Sequence, residues 1–150
     1  MGLDPLNLPD FELNLKKEAN QTWIFDPIRR KYVVLTPEEW VRQHFINYLI
    51  QHLGYPRSLI KVESGLSVHK MIRRSDLLVY DRTGSPHMLV ECKAPHVKID
   101  QKVFDQVSAY NTHYQAGLLV VTNGINHYCC SIDPLEKKYH FVPEIPAFTN

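Results

Sequence analysis

The chain has 150 residues, 44% hydrophobic and 22% charged, which suits one compact domain better than two. A net charge of +1 neither requires nor excludes a polyanionic partner. Three cysteines, two of them adjacent (Cys129 and Cys130), exclude a disulfide framework and suit a reducing cytoplasm. With no apolar run near the ~18 residues of a membrane span and no basic-then-apolar leader at the N-terminus, the expectation is a cytoplasmic protein without a membrane partner.

Residues 1–30 read as a loosely ordered arm and the start of a hairpin, and residues 31–150 as the domain proper. Thr22–Asp26 and Lys31–Leu35 are β-prone runs separated by Pro27–Arg30, a hairpin pattern. Thr36 before Pro37, with Glu38 and Glu39 in the first turn, is a helix start: a hydroxyl cap, proline at the first position and acids at the positive end of the dipole. The helix is predicted from Pro37 to about Leu53, with Val41, Phe45, Tyr48, Leu49 and Leu53 as its apolar stripe and Gly54 and Pro56 as its stop.

Three β-like runs follow, Leu59–Glu63, Ser75–Tyr80 and His87–Lys93, the last two joined by the polar, Gly-containing link Asp81–Pro86. Asp100 can cap a second helix through about Tyr114. Gly117–Thr122 (GLLVVT) is continuously apolar, the mark of a strand covered on both faces, and Asn123-Gly124 turns the chain into His127–Ser131 and then Lys138–Val142. The predicted fold is α/β: an α-β-β-β-α-β core with a mixed central sheet flanked by helices, plus an N-terminal hairpin and extra C-terminal strands.

Asp76 opens one strand of the central hairpin, and Glu91 and Lys93 close the other. Residues two apart on a strand share a face, so Glu91 and Lys93 point together and Cys92 points away. Two carboxylates beside an ammonium group can hold a divalent cation and a water together, the parts that phosphodiester hydrolysis requires. Oxygen ligands of this kind suit Mg²⁺, with Mn²⁺ as a substitute, and the backbone carbonyl of Cys92 could add a ligand. Lys93 would orient the attacking water and neutralise charge in the transition state. On these residues alone, an ordinary acid and lysine at strand ends is an open reading.

The segment RRSDLLVYDRTGSPHMLVECKAP resembles the motif region of the PD-(D/E)xK nuclease superfamily, in which an Asp at a strand start precedes E-x-K on the next strand. QVSAY, with Gln106 and Tyr110, is similar to the Q-x-x-x-Y signature of RecB-like nucleases and of the nuclease region of type I restriction enzyme R subunits. Together with TPEEWVRQHFINYLI, LGYPRSLIKVE, DQVSAYN and VVTNG, it makes the R-subunit N-terminal family the nearest resemblance, over about residues 30–130. The resemblance implies metal ligation by Asp76 and Glu91, catalysis by Lys93 with Gln106, and support from Tyr110. It also implies a glutamate on the first helix facing the metal, for which Glu39 is the candidate. An acid complementing the helix dipole explains Glu39 equally well.

The expected activity is therefore Mg²⁺-dependent cleavage of DNA, as an endonuclease rather than an exonuclease. The alternative is a noncatalytic nucleic-acid-binding or protein-interaction module on the same fold. Arg73 and Arg74, with Lys70, and Lys98 and Lys102, extended by Lys61, are candidates for positioning backbone phosphates; a solvated face explains them as well. His127, Cys129 and Cys130 lack a workable zinc spacing, no G-x-S-x-G supports serine hydrolysis, and no G-x-x-x-x-G-K-[ST] supports a phosphate loop. The domain is expected either to stand alone or to work with a separate translocase or specificity subunit, and a homodimer is compatible with a site that cuts one strand.

Overall fold

The computed structural model describes residues 3–150 except 64, 65, 69, 70, 74, 75, 134 and 137, and from Glu63 to Asp76 it describes the backbone path alone. A three-stranded antiparallel sheet, β1 (Leu15–Glu18), β2 (Gln21–Asp26) and β3 (Lys31–Val34), precedes helix α1 (Pro37–Asn47). Then come β4 (Ile60–Glu63), a small pair β5 (Leu66–Val68) and β6 (Met71–Arg73), and the central hairpin β7 (Asp76–Tyr80) and β8 (Pro86–Cys92). Helix α2 (Gln101–Tyr114), β9 (Leu118–Thr122), β10 (His127–Ile132) and β11 (Tyr139–Val142) complete the chain.

The main sheet has six strands in the order β11-β10-β9-β8-β7-β4. It is mixed: β8 and β9 are parallel and every other neighbouring pair is antiparallel. A parallel pair needs a crossover, and α2 supplies it, so the first turn of α2 lies at the end of the sheet where β8 finishes.

Alternation divides the core into two layers. Leu77, Val79, Met88, Val90, Cys92, Val120 and Cys129 pack with Val41 and Phe45 of α1 and with Leu49 just beyond its end. Leu78, Leu89, Leu119, Val121 and Cys130 pack with Phe104, Val107 and Tyr110 of α2. The apolar run in β9 is buried on both sides, as its continuous hydrophobicity predicts.

The helix starts follow their local signals. Thr36 Oγ1 accepts from Glu39 N at 3.1 Å, and Asp100 Oδ1 accepts from Val103 N at 2.9 Å. The first helix ends earlier than its apolar stripe suggests: regular α-geometry stops at Asn47, and a π-type turn over Tyr48–His52, closed by Leu53 N to Tyr48 O, carries the stripe on. In the β7–β8 link, Asp81 Oδ1 accepts from Thr83 N and Ser85 N, and Gly84 takes a positive φ of 87°, which pins the register of the two strands.

From Leu3 onwards the arm is tied to the domain rather than loose. Leu15–Glu18 forms the outer strand of the small sheet, Trp40 Nε1 donates to Asp4 O at 2.8 Å, and Asn7 N donates to Gly124 O at 2.7 Å. Leu6 sits so close to Gly124 that a Cβ there would come within 2.8 Å of it. Scattered leucines without a period carry no local signal; each finds its place only against the folded domain.

Candidate functional site

The central hairpin fixes the geometry. β7 and β8 pair with Asp76 opposite Glu91, and directly opposed residues on antiparallel strands occupy the same face with Cα atoms about 4.5–5.5 Å apart. The same row continues outwards, because β4 pairs with β7 so that Glu63 stands opposite Asp76. Three acidic positions, Glu63, Asp76 and Glu91, thus form one line across three neighbouring strands.

Glu91 and Lys93 share the face that carries Leu89 and α2. Lys93 lies one residue beyond β8, held at the strand end by its N–H donating to Thr122 O at 2.8 Å. Its Nζ is 3.2 Å from Glu91 Oε1, with the Glu91 side chain 3% exposed and that of Lys93 23%. A carboxylate taken this far out of water needs compensation, and a partly solvated ammonium beside it is one source. Cys92 turns the other way, towards α1, where burial pushes its thiol up to about 12 and nearby Arg42 only partly offsets this.

Beyond Lys93 the chain bends through Ala94–Asp100, held by Val97 N to Ala94 O at 3.0 Å and by Asn123 Nδ2 donating to Val97 O at 2.8 Å. Lys98 in this loop and Lys102 in the first turn of α2 are exposed. Gln106 and Tyr110 share a side of α2 but differ in surroundings. Gln106 is exposed, whereas Tyr110 is buried in the layer that contains Leu78 and Leu89, two residues along from Asp76 and Glu91 on the same face. Arg73 lies on β6, and Lys70 and Arg74 fall outside the described residues. Lys61 is exposed on β4, with its Nζ 5.6 Å from the centre of the Tyr80 ring.

Glu39 is buried in a charged network. Arg29 Nη2 approaches its Oε1 at 2.7 Å, Arg42 donates to the same oxygen, and Gln43 Nε2 donates to Oε2 at 3.2 Å. Arg29 in turn donates to Asp26 Oδ2 at 2.6 Å. Burial works against the Asp26 carboxylate, yet its bonds from Arg29 and the Ile28 amide hold its pKa below the usual value. This alternating chain of charges clamps the β2–β3 turn to the start of α1, which packs on the sheet face opposite to Glu91.

His127 takes no part with Cys129 and Cys130, which belong to the two core layers. Its Nε2 is 2.9 Å from Asn7 O, which can only accept, so Nε2 carries the proton; Nδ1 then accepts from Thr122 Oγ1 at 2.6 Å. Thr122 Oγ1 accepts in turn from Gly124 N. Among the described side chains no three His, Cys, Asp or Glu residues gather as a metal site; the side chains of Glu63 and Asp76 are outside that statement. Glu63 escaped the sequence reading because an acid ending a β-like run carries no signal until strand pairing places it in a row.

Among the described residues no helix is long and apolar enough to cross a membrane. No curated protein matches the chain. The family model for the type I restriction enzyme R protein N terminus matches residues 37–146, and the chain belongs to that family.

Proposed function

As a member of the type I restriction enzyme R protein N-terminal family, the chain is, we propose, a Mg²⁺-dependent endonuclease domain that hydrolyses phosphodiester bonds of DNA. The observation that carries this reading is the pairing of Asp76 with Glu91 at the end of the sheet where Lys93 Nζ meets the Glu91 carboxylate. The residue types suit a hard cation: acidic residues at two opposed strand positions, with Glu91 buried, and a backbone carbonyl at Cys92 between Glu91 and Lys93. When bound, Mg²⁺ or Mn²⁺ would supply charge stabilisation at the phosphate and a more acidic water.

Asp76, Glu91 and the Cys92 carbonyl would hold the ion. Lys93 orients the attacking water and neutralises charge that builds on the phosphate oxygens. Gln106, exposed on α2, reaches the substrate side, while Tyr110 steadies the layer beneath the carboxylates. Lys98 and Lys102, with Arg73 and Arg74, position the backbone without reading bases. The family membership supports DNA and the other restriction subunits as partners, including a separate translocase or specificity subunit.

The test is incubation of the purified chain with linear, nicked, single-stranded and supercoiled DNA, with and without Mg²⁺ or Mn²⁺, beside Asp76→Ala and Lys93→Ala. Metal-dependent cutting that both variants lose is the expected result. Cleavage unaffected by either substitution removes the proposed site, and DNA binding without cleavage transfers the reading to a noncatalytic module.

A further inference from the structure

One side chain in the turn after β9 serves two segments of the chain. Asn123 is 4% exposed, and its Oδ1 accepts from Ile125 N at 2.9 Å and from Asn126 N at 2.8 Å. Its Nδ2 donates away from the turn, to Val97 O at 2.8 Å. The partners fix which end is which, because backbone amides only donate and a carbonyl only accepts.

Val97 belongs to the segment that leads from Lys93 into α2. Its start is fastened by Lys93 N donating to Thr122 O at 2.8 Å and by the buried Ala94. Its finish is fastened by Ile99, packed against the α2 layer, and by Asp100, the helix cap. Between these points lie Pro95, His96, Val97 and Lys98. Val97 N closes a turn on Ala94 O at 3.0 Å, and among the described residues Asn123 supplies the one side-chain hydrogen bond that reaches residues 95–98 from elsewhere in the fold. Lys98 follows Val97 directly and is exposed.

We propose that Asn123 is a positioning residue for DNA binding, a role that rests on the DNA-cleaving function argued above. Its bond to Val97 O sets the path of the segment between Ala94 and Asp100 and so directs the Lys98 ammonium to a backbone phosphate of the substrate. A lysine is a point charge on a flexible stem, so what the fold can fix is the backbone from which that stem leaves. Asn123 therefore governs affinity. Lys93 is fastened separately, through Thr122 O, and keeps its place beside Glu91 when the Asn123 bond is lost.

Asn123→Asp isolates that bond. An oxygen remains to accept from Ile125 N and Asn126 N, whereas a second oxygen replaces the donor and faces Val97 O, which repels it. Asn123→Ser runs beside it: its hydroxyl can accept within the turn, is too short to reach Val97, and adds no charge. The measurement is binding of the intact chain to a fluorescent DNA duplex without divalent metal, followed by anisotropy over a range of salt. Wild type, both Asn123 variants, Lys98→Ala and each Asn123 variant combined with Lys98→Ala are compared, with circular dichroism as the check on folding. One phosphate contact contributes about 0.9 to the slope of log affinity against log salt.

Lys98→Ala should lose about one contact's worth of slope and several-fold in affinity. Each Asn123 variant should lose a similar amount, and the combined variants no more than Lys98→Ala alone. Trypsin should cut after Lys98 several-fold faster once Asn123 is replaced. Additive losses in the combined variants would show that Asn123 acts through the fold at large or through altered charge, and overturn the proposal. So would Asn123 variants that bind DNA or resist trypsin as the wild type does, or a Lys98→Ala that binds DNA unchanged. A wild type that binds no DNA overturns the DNA-cleaving function itself and this role with it.

Discussion

Asp76 stands directly opposite Glu91 in the β7–β8 ladder, with Glu63 opposite Asp76 on the next strand. Acidic residues facing one another across antiparallel strands repel, by roughly 0.2–1 kcal/mol per directly opposed pair. On the proposed reading, a cation shared by Asp76 and Glu91 would offset that repulsion.

Asp76→Asn should therefore raise the stability of the metal-free chain by about 0.5–1 kcal/mol while removing its response to Mg²⁺. Thermal unfolding with and without Mg²⁺ reads both effects. The wild type gains stability with the ion by mass action and the variant does not; a variant that is less stable without metal and still gains with it would contradict the shared-cation reading.

Lys93→Ala takes from the buried Glu91 carboxylate the ammonium that lies 3.2 Å away. If Lys93 acts on the attacking water, cleavage should fall by roughly 10²–10⁴, with a smaller loss of stability because Lys93 is partly solvated. Single-turnover cleavage assays beside urea unfolding distinguish the two: a rate loss no larger than the fraction unfolded would make Lys93 merely structural.

Glu39→Gln breaks a network that includes Arg29, Arg42 and Gln43. Removing one partner from a buried ion pair costs on the order of 3–5 kcal/mol, so the expected outcome is a large drop in the urea midpoint with the Mg²⁺-induced stabilisation retained. Loss of the Mg²⁺ response in variant protein that is still folded would instead move Glu39 into the metal site.

Acid should loosen the chain before its carboxylates titrate. Burial lowers the pKa of His127, whose bond to Asn7 only partly opposes it, and burial likewise lowers that of His44, whose Nδ1 is 2.8 Å from Trp40 O. A histidine lowered in the folded state binds fewer protons than it does unfolded. Its contribution is complete above the unfolded value of about 6.5 and is lost as pH falls from there through the folded value. Urea midpoints should decline between pH 7 and pH 5, and His127→Ala should show a shallower decline; an equal slope in wild type and variant would discount His127.

The three thiols should be inert in the native chain. Burial pushes Cys92 up to about 12 and Cys129 and Cys130 up to about 11, and only the thiolate reacts. A thiol reagent at neutral pH should label none of them until denaturant is added, and rapid native labelling of Cys92 would place it outside the core.

What the amino-acid sequence by itself determined were the features that depend on neighbours along the chain. Thr36 with Pro37 and Asp100 with Val103 set the helix starts, Asp81 to Pro86 set the central hairpin, and two-residue alternation set Glu91 and Lys93 on one face with Cys92 on the other. A carboxylate pair within a single hairpin is legible for the same reason, since its register follows from the turn. Tertiary structure decided the rest. Glu63 joins the acidic row only because β4 pairs with β7; Glu39 is engaged by Arg29, which a separate hairpin delivers; and the N-terminal arm is ordered because Asn7, Leu6 and Asp4 meet groups that the folded domain alone brings together. Periodicity records which side of an element is buried, whereas contacts between elements distant in sequence depend on which faces meet, and no local pattern encodes that.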